Sequence, residues 1–241
     1  MLSDYFDRYS LNARVRPALL ALLPLTVSIY ALFPDLYELF AGAVSVLVIF
    51  GFVTGLAHFA RYRGRIIEKK LFDAWGEKPT TRMLRHSDSS IDPVTKARYH
   101  NYLAENINGW AAPTNDEEAE NPRKADHAYA AAVTWLLEQT RDLNRFSMLF
   151  NENISYGFRR NCYGIKWFGV SLSSLPSALI SIWYYTQLTS PNELPFEQSV
   201  LIVCFGLSLL MGLWWMLLVN KAWVKDASES YALRLLASCD A

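Results

Sequence analysis

Apolar residues fall into four long runs, and nearly every charge lies outside them. The runs are residues 17–33 (PALLALLPLTVSIYALF), 39–60 (LFAGAVSVLVIFGFVTGLAHFA), 167–188 (WFGVSLSSLPSALISIWYYTQL) and 196–219 (FEQSVLIVCFGLSLLMGLWWMLLV). A bilayer core needs about 20 mostly apolar residues per helix, and each run comes close to that length. The first is short and contains Pro24. PDLYE joins the first pair, and TSPNELP, with two prolines and an asparagine for a turn, joins the second. The pattern predicts two membrane hairpins.

Residues 61–166 show no alternating pattern of the kind a strand requires and predict a helical domain. The second run continues through RYRGRIIEKKLFDAW to Gly76, which serves as a C-terminal stop. A polar loop with Pro79, Thr80, Thr81 and SDSS follows. Asp92 then Pro93 form a cap and first turn, opening a helix to about Ile107. GWAAPTNDEEAENP, residues 109–122, reads as an acidic loop, and Asn121 then Pro122 open a further helix that leads toward the third run. In the N-terminal arm Leu2, Tyr5, Phe6 and Tyr9 share one helical face, which suits either a helix lying in the membrane interface or an ordinary helix start. The expected fold is an all-α integral membrane protein, with four transmembrane helices in two hairpins and a helical cytosolic domain inserted between them. Its parts are 1–60 (arm and first hairpin), 61–166 (cytosolic domain), 167–220 (second hairpin) and 221–241 (tail).

The positions of the cations orient this arrangement. Of 23 Lys and Arg, three lie in the N-terminal arm (Arg8, Arg14, Arg16), three in the tail (Lys221, Lys225, Arg234) and 17 between Arg61 and Lys166. The hairpin loops hold none and carry Asp35, Glu38, Glu193 and Glu197. By the positive-inside rule both termini and the central domain face the cytoplasm. Composition agrees, with 52% hydrophobic residues and only 19% charged, against about 25% in an average soluble protein.

Cys162, Cys204 and Cys239 have neither metal-like spacing nor a disulfide framework. Cys239 is one position too late for prenylation, and Met-Leu-Ser excludes myristoylation. The first run has no small-x-small cleavage site and reads as retained.

Enzyme signatures are absent: no G-x-x-x-x-G-K-[ST], G-x-G-x-x-G, H-E-x-x-H or G-x-S-x-G occurs. No cofactor is expected. His86, Ser87 and Asp88, or Asp126 and His127, would be the only metal candidates, and neither group has specific spacing. His58 reads as an interfacial side chain.

A basic cluster offers more. Arg82, Arg85 and His86, then Lys96, Arg98 and His100, surround the first cytosolic loop, and Arg159 and Arg160 close the domain in YGFRRN. Guanidinium groups grip phosphates in bidentate fashion, and Tyr99, Tyr102, Tyr156 and Phe158 offer stacking surfaces for a base. Arg82, Arg85, His86, Arg98, His100, Arg159 and Arg160 are therefore the candidate ligand-binding set. The competing reading is internal salt bridges for Arg82, Arg85 and Arg98, and headgroup contact for Arg159 and Arg160. Arg61, Arg63, Arg65, Lys69 and Lys70 directly follow a span and read as headgroup contacts.

In the third run Ser173, Ser177 and Ser181 recur every four residues and share a face. They are the candidate pore-lining set in an oligomer; packing of small residues, as expected for Gly51 and Gly55 in the second run, is the alternative. The centres of the runs carry no charge, which argues against an ion-coupled transporter.

GRIIEKKLFDAWGEKPTTRMLRH with IDPVTKARYH, residues 64–86 and 91–100, and FNENISYGFRRN, residues 150–161, resemble bacterial antiphage membrane effectors encoded beside nucleotidyltransferase-like enzymes, of the Hailong type. The resemblance covers the cytosolic half of the chain. It implies a homo-oligomer, a tetramer by analogy, in the inner membrane. A nucleotide or short oligonucleotide made by a nucleotidyltransferase partner would gate a channel or membrane-disrupting state. It also adds weight to Arg82, Arg85, Arg98, Arg159 and Arg160 as ligand residues. Two other readings stand beside it. One is a membrane-anchored scaffold that holds a protein partner through the acids 116–120 and Trp110. The other is a headgroup-modifying enzyme using His86, Asp88, His100 and His127.

Overall fold

The computed structural model describes residues 7–33, 43–189 and 197–241, and of 43–48 and Leu188 only the backbone. Leu2, Tyr5 and Phe6 of the arm, the hairpin acids Asp35, Glu38 and Glu193, and the start of the second apolar run lie outside the described residues. Every regular element among the described residues is helical: α1 (Arg16–Leu32), α2 (Ala43–Trp75), α3 (Pro79–Arg82), α4 (Pro93–Asn106), α5 (Asn115–Glu120), α6 (Pro122–Gln139), α7 (Ser147–Gly164), α8 (Lys166–Thr189), α9 (Gln198–Leu213) and α10 (Lys221–Leu236). A single turn at Arg8–Ser10 and π-helical turns at Leu11–Val15 and Trp214–Leu218 extend α1 and α9.

The chain forms two compact units, Met1–Ile67 with Gly157–Trp223, and Glu68–Tyr156 with Val224–Ala241. Their boundaries fall inside α2, α7 and α10, not at the edges of the apolar runs.

The first unit is built on α1, α8 and α9, with the N-terminal part of α2 against α1. Ala18 and Leu22 meet Leu56 and Ala57, and Ile180 meets Leu201 and Cys204. Trp215 is fully buried against Gly169, where any β-carbon would overlap the indole. Two helical stretches among the described residues are long and apolar enough to cross a membrane, Arg8–Leu32 and Gln198–Leu218. Pro24 sits inside α1 without ending it. A third would follow if α7 and the run Lys166–Gln187, which meet at a 63° bend, counted as one broken span. Five serines and Pro176 dilute the apolar character of α8, and the second apolar run lies only partly within the described residues. Exposed Leu19, Phe52, Leu179, Ile182, Ile202 and Leu210 give this unit an oily exterior.

The helix opened by Asn121 and Pro122 does not run on into the third apolar run: α6 ends at Gln139, α7 stops at Gly164, and Ile165 bonds back to Asn161 and Cys162. Glycine weakens a helix interior, and here its bare α-carbon lies against another backbone.

The second unit surrounds Met83, Leu84, Tyr99, Leu103, Tyr129, Leu136, Ala232, Leu235, Leu236 and Cys239. Its helix starts follow their local signals. Asp92 accepts from the Thr95 amide at 2.9 Å and Asn121 from the Lys124 amide at 3.1 Å. Gly76 ends α2 with φ +86°, a conformation glycine adopts without steric cost. Two features depart from the sequence expectation. The tail beyond residue 223 is part of this core, because its apolar residues fill the space beside α4 and α6. The acidic loop contains α5, opened by a reciprocal capping box between Thr114 and Glu117.

Candidate functional site

The second unit carries a cleft of about 490 Å³, lined in part by His86, Asp88, Lys96, His100, Asn101 and Thr114. That volume suits a small-molecule or nucleotide ligand. The cleft forms where the loop after α3 lies over the start of α4, and Glu118 of α5 fixes that loop. The Glu118 carboxylate accepts from the amides of His86 (2.8 Å) and Ser87 (3.1 Å), the Ser87 hydroxyl (2.8 Å) and the Tyr129 hydroxyl (3.0 Å). Burial acts to raise the Glu118 carboxyl, yet these donors outweigh it and hold it below the ordinary carboxylate range.

Lys96 is the cation of the cleft. Its side chain enters from the second turn of α4, and the residue is only 5% exposed. The ammonium donates to the carbonyls of Arg85, at 2.6 Å, and Asp88. Three hydrogens are available on an ammonium, so one remains for a ligand. Burial holds its pKa below the ordinary lysine value, while Asp88 and Glu118 act to raise it.

The two histidines stand together. Their rings meet edge to face at 5.1 Å, and His100 stacks on Tyr129 at 5.7 Å. His86 Nε2 lies 2.8 Å from the Pro113 carbonyl and His100 Nε2 lies 2.8 Å from the Leu84 carbonyl. A carbonyl requires the proton on Nε2, which leaves Nδ1 of each neutral ring as an acceptor. Burial lowers the His100 pKa, so that ring is neutral near pH 7.

The arginines named from sequence are each engaged within the protein. Arg82 bridges Asp88 (2.9 Å) and Glu229 (2.8 Å). Arg85 forms a two-pronged pair with Asp126 at 2.7 Å, and Arg98 does the same with Asp240 at 2.7 and 2.9 Å. These pairs brace the walls of the cleft and the tail. In the first unit Arg159 donates to the Trp223 carbonyl at 3.0 Å and lies over its ring. Arg160 is 8% exposed, beside Asn161. His127 is exposed and does not line the cleft. Among the described residues no group of three or more His, Cys, Asp or Glu is placed to hold a metal ion.

The three serines of α8 separate. Ser173 is fully buried, with its β-carbon 3.8 Å from where Gly212 would carry one. Ser177 is half-buried, and Ser181 is exposed and donates to the Ser177 carbonyl. Among the described residues the hydroxyls of Ser173 and Ser177 are buried without hydrogen-bond partners, as are those of Ser28 and Ser208 on α1 and α9. A β-carbon on Gly51 or Gly55 would meet nothing described within 4 Å, so these glycines form no seam inside the described chain.

Lys96 is the cleft residue that sequence alone did not single out. It stood in the same basic cluster as Arg98, and only burial distinguishes the two. Comparison with protein-family models, with characterised proteins and with solved structures finds no match.

Proposed function

We propose that this chain is a ligand-gated membrane effector. Its four apolar runs form two bilayer hairpins, both termini lie in the cytoplasm, and several copies assemble around a conducting or membrane-disrupting path. A phosphorylated ligand, a nucleotide or short oligonucleotide, binds the cytosolic unit and biases a closed–open equilibrium. A ligand does this only by binding one state more tightly than the other. The resemblance of residues 64–86, 91–100 and 150–161 to antiphage effectors points to defence as the setting, an inner membrane as the place and a nucleotidyltransferase as the source of the ligand.

The observation that carries this reading is the cleft. A buried ammonium with a hydrogen left to donate, two imidazole acceptors and the hydroxyl of Ser89 suit a phosphate next to a polar ring system. The ion pairs of Arg82, Arg85 and Arg98 shift the proposed seat from those arginines to Lys96, His86 and His100. The scaffold alternative draws less support, because Trp110 donates to the Ala128 carbonyl and packs on the core instead of presenting itself to a partner.

Native mass spectrometry of the detergent-purified full chain, with ATP or a short oligodeoxynucleotide added at low and high salt, tests the proposal. Expected is an oligomer carrying the added probe, with the probe lost at high salt and lost in Lys96→Ala. Equal binding by wild type and Lys96→Ala, or none by either, would overturn it.

A further inference from the structure

The described helices contain two π-helical turns, Leu11–Val15 before α1 and Trp214–Leu218 after α9. Such turns are rare, and a single one attached to an α-helix frequently marks a functional position. Both lie in the first unit. One buried cluster joins their surroundings, with Ala21 of α1, Cys162 and Ile165 at the elbow between α7 and α8, Trp215 and Val219.

The two turns are seated alike. Ala13, inside the first, is fully buried, and a β-carbon on Gly157 of α7 would lie 3.0 Å from its own. One turn further along α7, Asn161 donates to the Ala13 carbonyl at 2.6 Å. Trp215, inside the second, is fully buried with its indole against Gly169 of α8. One turn before Gly169, Lys166 donates to the Met216 carbonyl at 2.8 Å. In each seat a glycine makes room for a residue of the turn, and a donor on the same helix holds a carbonyl of the turn. Asn161 and Lys166 flank Ile165, where α7 and α8 meet at 63°.

The second turn is held at a cost. Its closing bond, from the Val219 amide to the Trp214 carbonyl, is 3.4 Å long, beyond the range of a well-made bond. The Trp215 indole nitrogen is buried and meets no acceptor among the described residues, which is unfavourable in an apolar interior. Return to an α-helical turn would restore the i→i−4 ladder. The slack for that change follows directly, because Val219 and Asn220 lie between α9 and α10 outside any helix, with Val219 at φ −78° and ψ 88°.

We infer that Gly169 and Lys166 form a latch on α9. They hold the turn Trp214–Leu218 wide, and release lets it narrow to α-helical register. Narrowing rotates α9 about its axis by roughly 100°, one residue's share of a 3.6-residue turn. The rotation carries Cys204, 1% exposed, to the direction that Val203, 64% exposed, now holds. The stretch Gln198–Leu218 is long and apolar enough to cross a membrane, so the rotation exchanges the side chains that face outward for those that face α1 and α8. The matching seat at Gly157 and Asn161 ties the N-terminal turn to the other side of the same elbow. As a gate the latch rests on the proposed function; the rotation itself requires no ligand.

Cys204 is a native reporter of the rotation. The full chain in uncharged detergent is treated with N-ethylmaleimide, and peptide mass spectrometry gives separate rates for Cys204 and Cys239. Gly169→Ala pushes Trp215 from its seat, and Lys166→Met removes the donor. Both are expected to speed alkylation of Cys204, by roughly tenfold in Gly169→Ala and by less in Lys166→Met, because thiol reactivity follows exposure. Cys239, buried in the core of the second unit, should react as in wild type. Lys166→Arg keeps a donor and should match wild type. No rise at Cys204 in either variant, or an equal rise at Cys239 that signals general loosening, would overturn the latch. Flux from vesicles containing Gly169→Ala separates the two readings: fast Cys204 alkylation with wild-type flux leaves the latch standing and removes its role as a gate.

Discussion

Gly164 of α7 rests on the backbone of Gly64 of α2: a β-carbon added at Gly164 would lie 2.5 Å from the Gly64 nitrogen and 2.9 Å from its α-carbon. Neither atom can move aside as a flexible side chain can. Gly164→Ala should therefore cost about 1–3 kcal/mol, as overpacking typically does. Gly206→Ala is the matched control, because nothing described lies within 4 Å of its added carbon. In a helix interior it should instead gain roughly 0.5–1 kcal/mol. Thermal melts in detergent should move in opposite directions for the two variants; a shared direction would mean the crossing is not closely packed.

Glu118 makes the cleft acid-sensitive. Its carboxyl is held below the ordinary range in the folded protein, so the stability it contributes is present above the unfolded pKa of about 4.3 and lost as pH falls through the folded value. Glu118→Gln should flatten the acid limb of the stability curve below about pH 4.3 while lowering stability at pH 7. An unchanged acid limb would show that the four donors do not hold the charged form.

Arg85 and Asp126 distinguish a structural pair from a ligand contact. Both side chains are mostly shielded, at 22% and 14% exposure. Arg85→Met leaves a shielded carboxylate without its partner and should cost about 1–3 kcal/mol, whereas Arg85→Met with Asp126→Leu should recover much of that. A double-mutant cycle by denaturant melts measures the coupling. Loss of nucleotide binding without loss of stability in Arg85→Met would instead return Arg85 to the ligand.

Ser173 and Ser208 bury hydroxyls that meet no partner among the described residues. Removing such a group relieves a desolvation penalty, so Ser173→Ala and Ser208→Ala should leave the melting temperature unchanged or raise it. A marked fall in either variant would show that the hydroxyls are hydrogen-bonded in the membrane-embedded protein.

Local signals carried much of the helix order. Asp92–Pro93, Asn121–Pro122 and Gly76 each act within a few residues, and each marks an element end where the sequence places it. Thr114-x-x-Glu117 was an equally local signal for α5, masked by the acidic composition around it. What sequence could not give were the long-range partners. Arg98 finds Asp240 across 142 residues and Arg82 finds Glu229 across 147, because the tail folds into the second unit. Nothing in an arginine's neighbours along the chain reveals that closure. In YGFRRN, Tyr156 donates to Glu68 at 2.6 Å, Arg159 to the Trp223 carbonyl, and Arg160 sits beside Asn161 at the crossing. Spacing from the third apolar run suggested headgroup contact for both arginines, and packing also ties each to a neighbour in its own unit.

The most direct measurement is ion and dye flux from sealed vesicles containing the purified full chain, with and without ATP or a short oligodeoxynucleotide, compared with Lys96→Ala. Gating by the cytosolic unit predicts flux in one condition, a change when a probe is added, and no such change in Lys96→Ala. Vesicles as tight as protein-free ones in every condition, or flux indifferent to both probe and variant, would contradict the gated-effector reading.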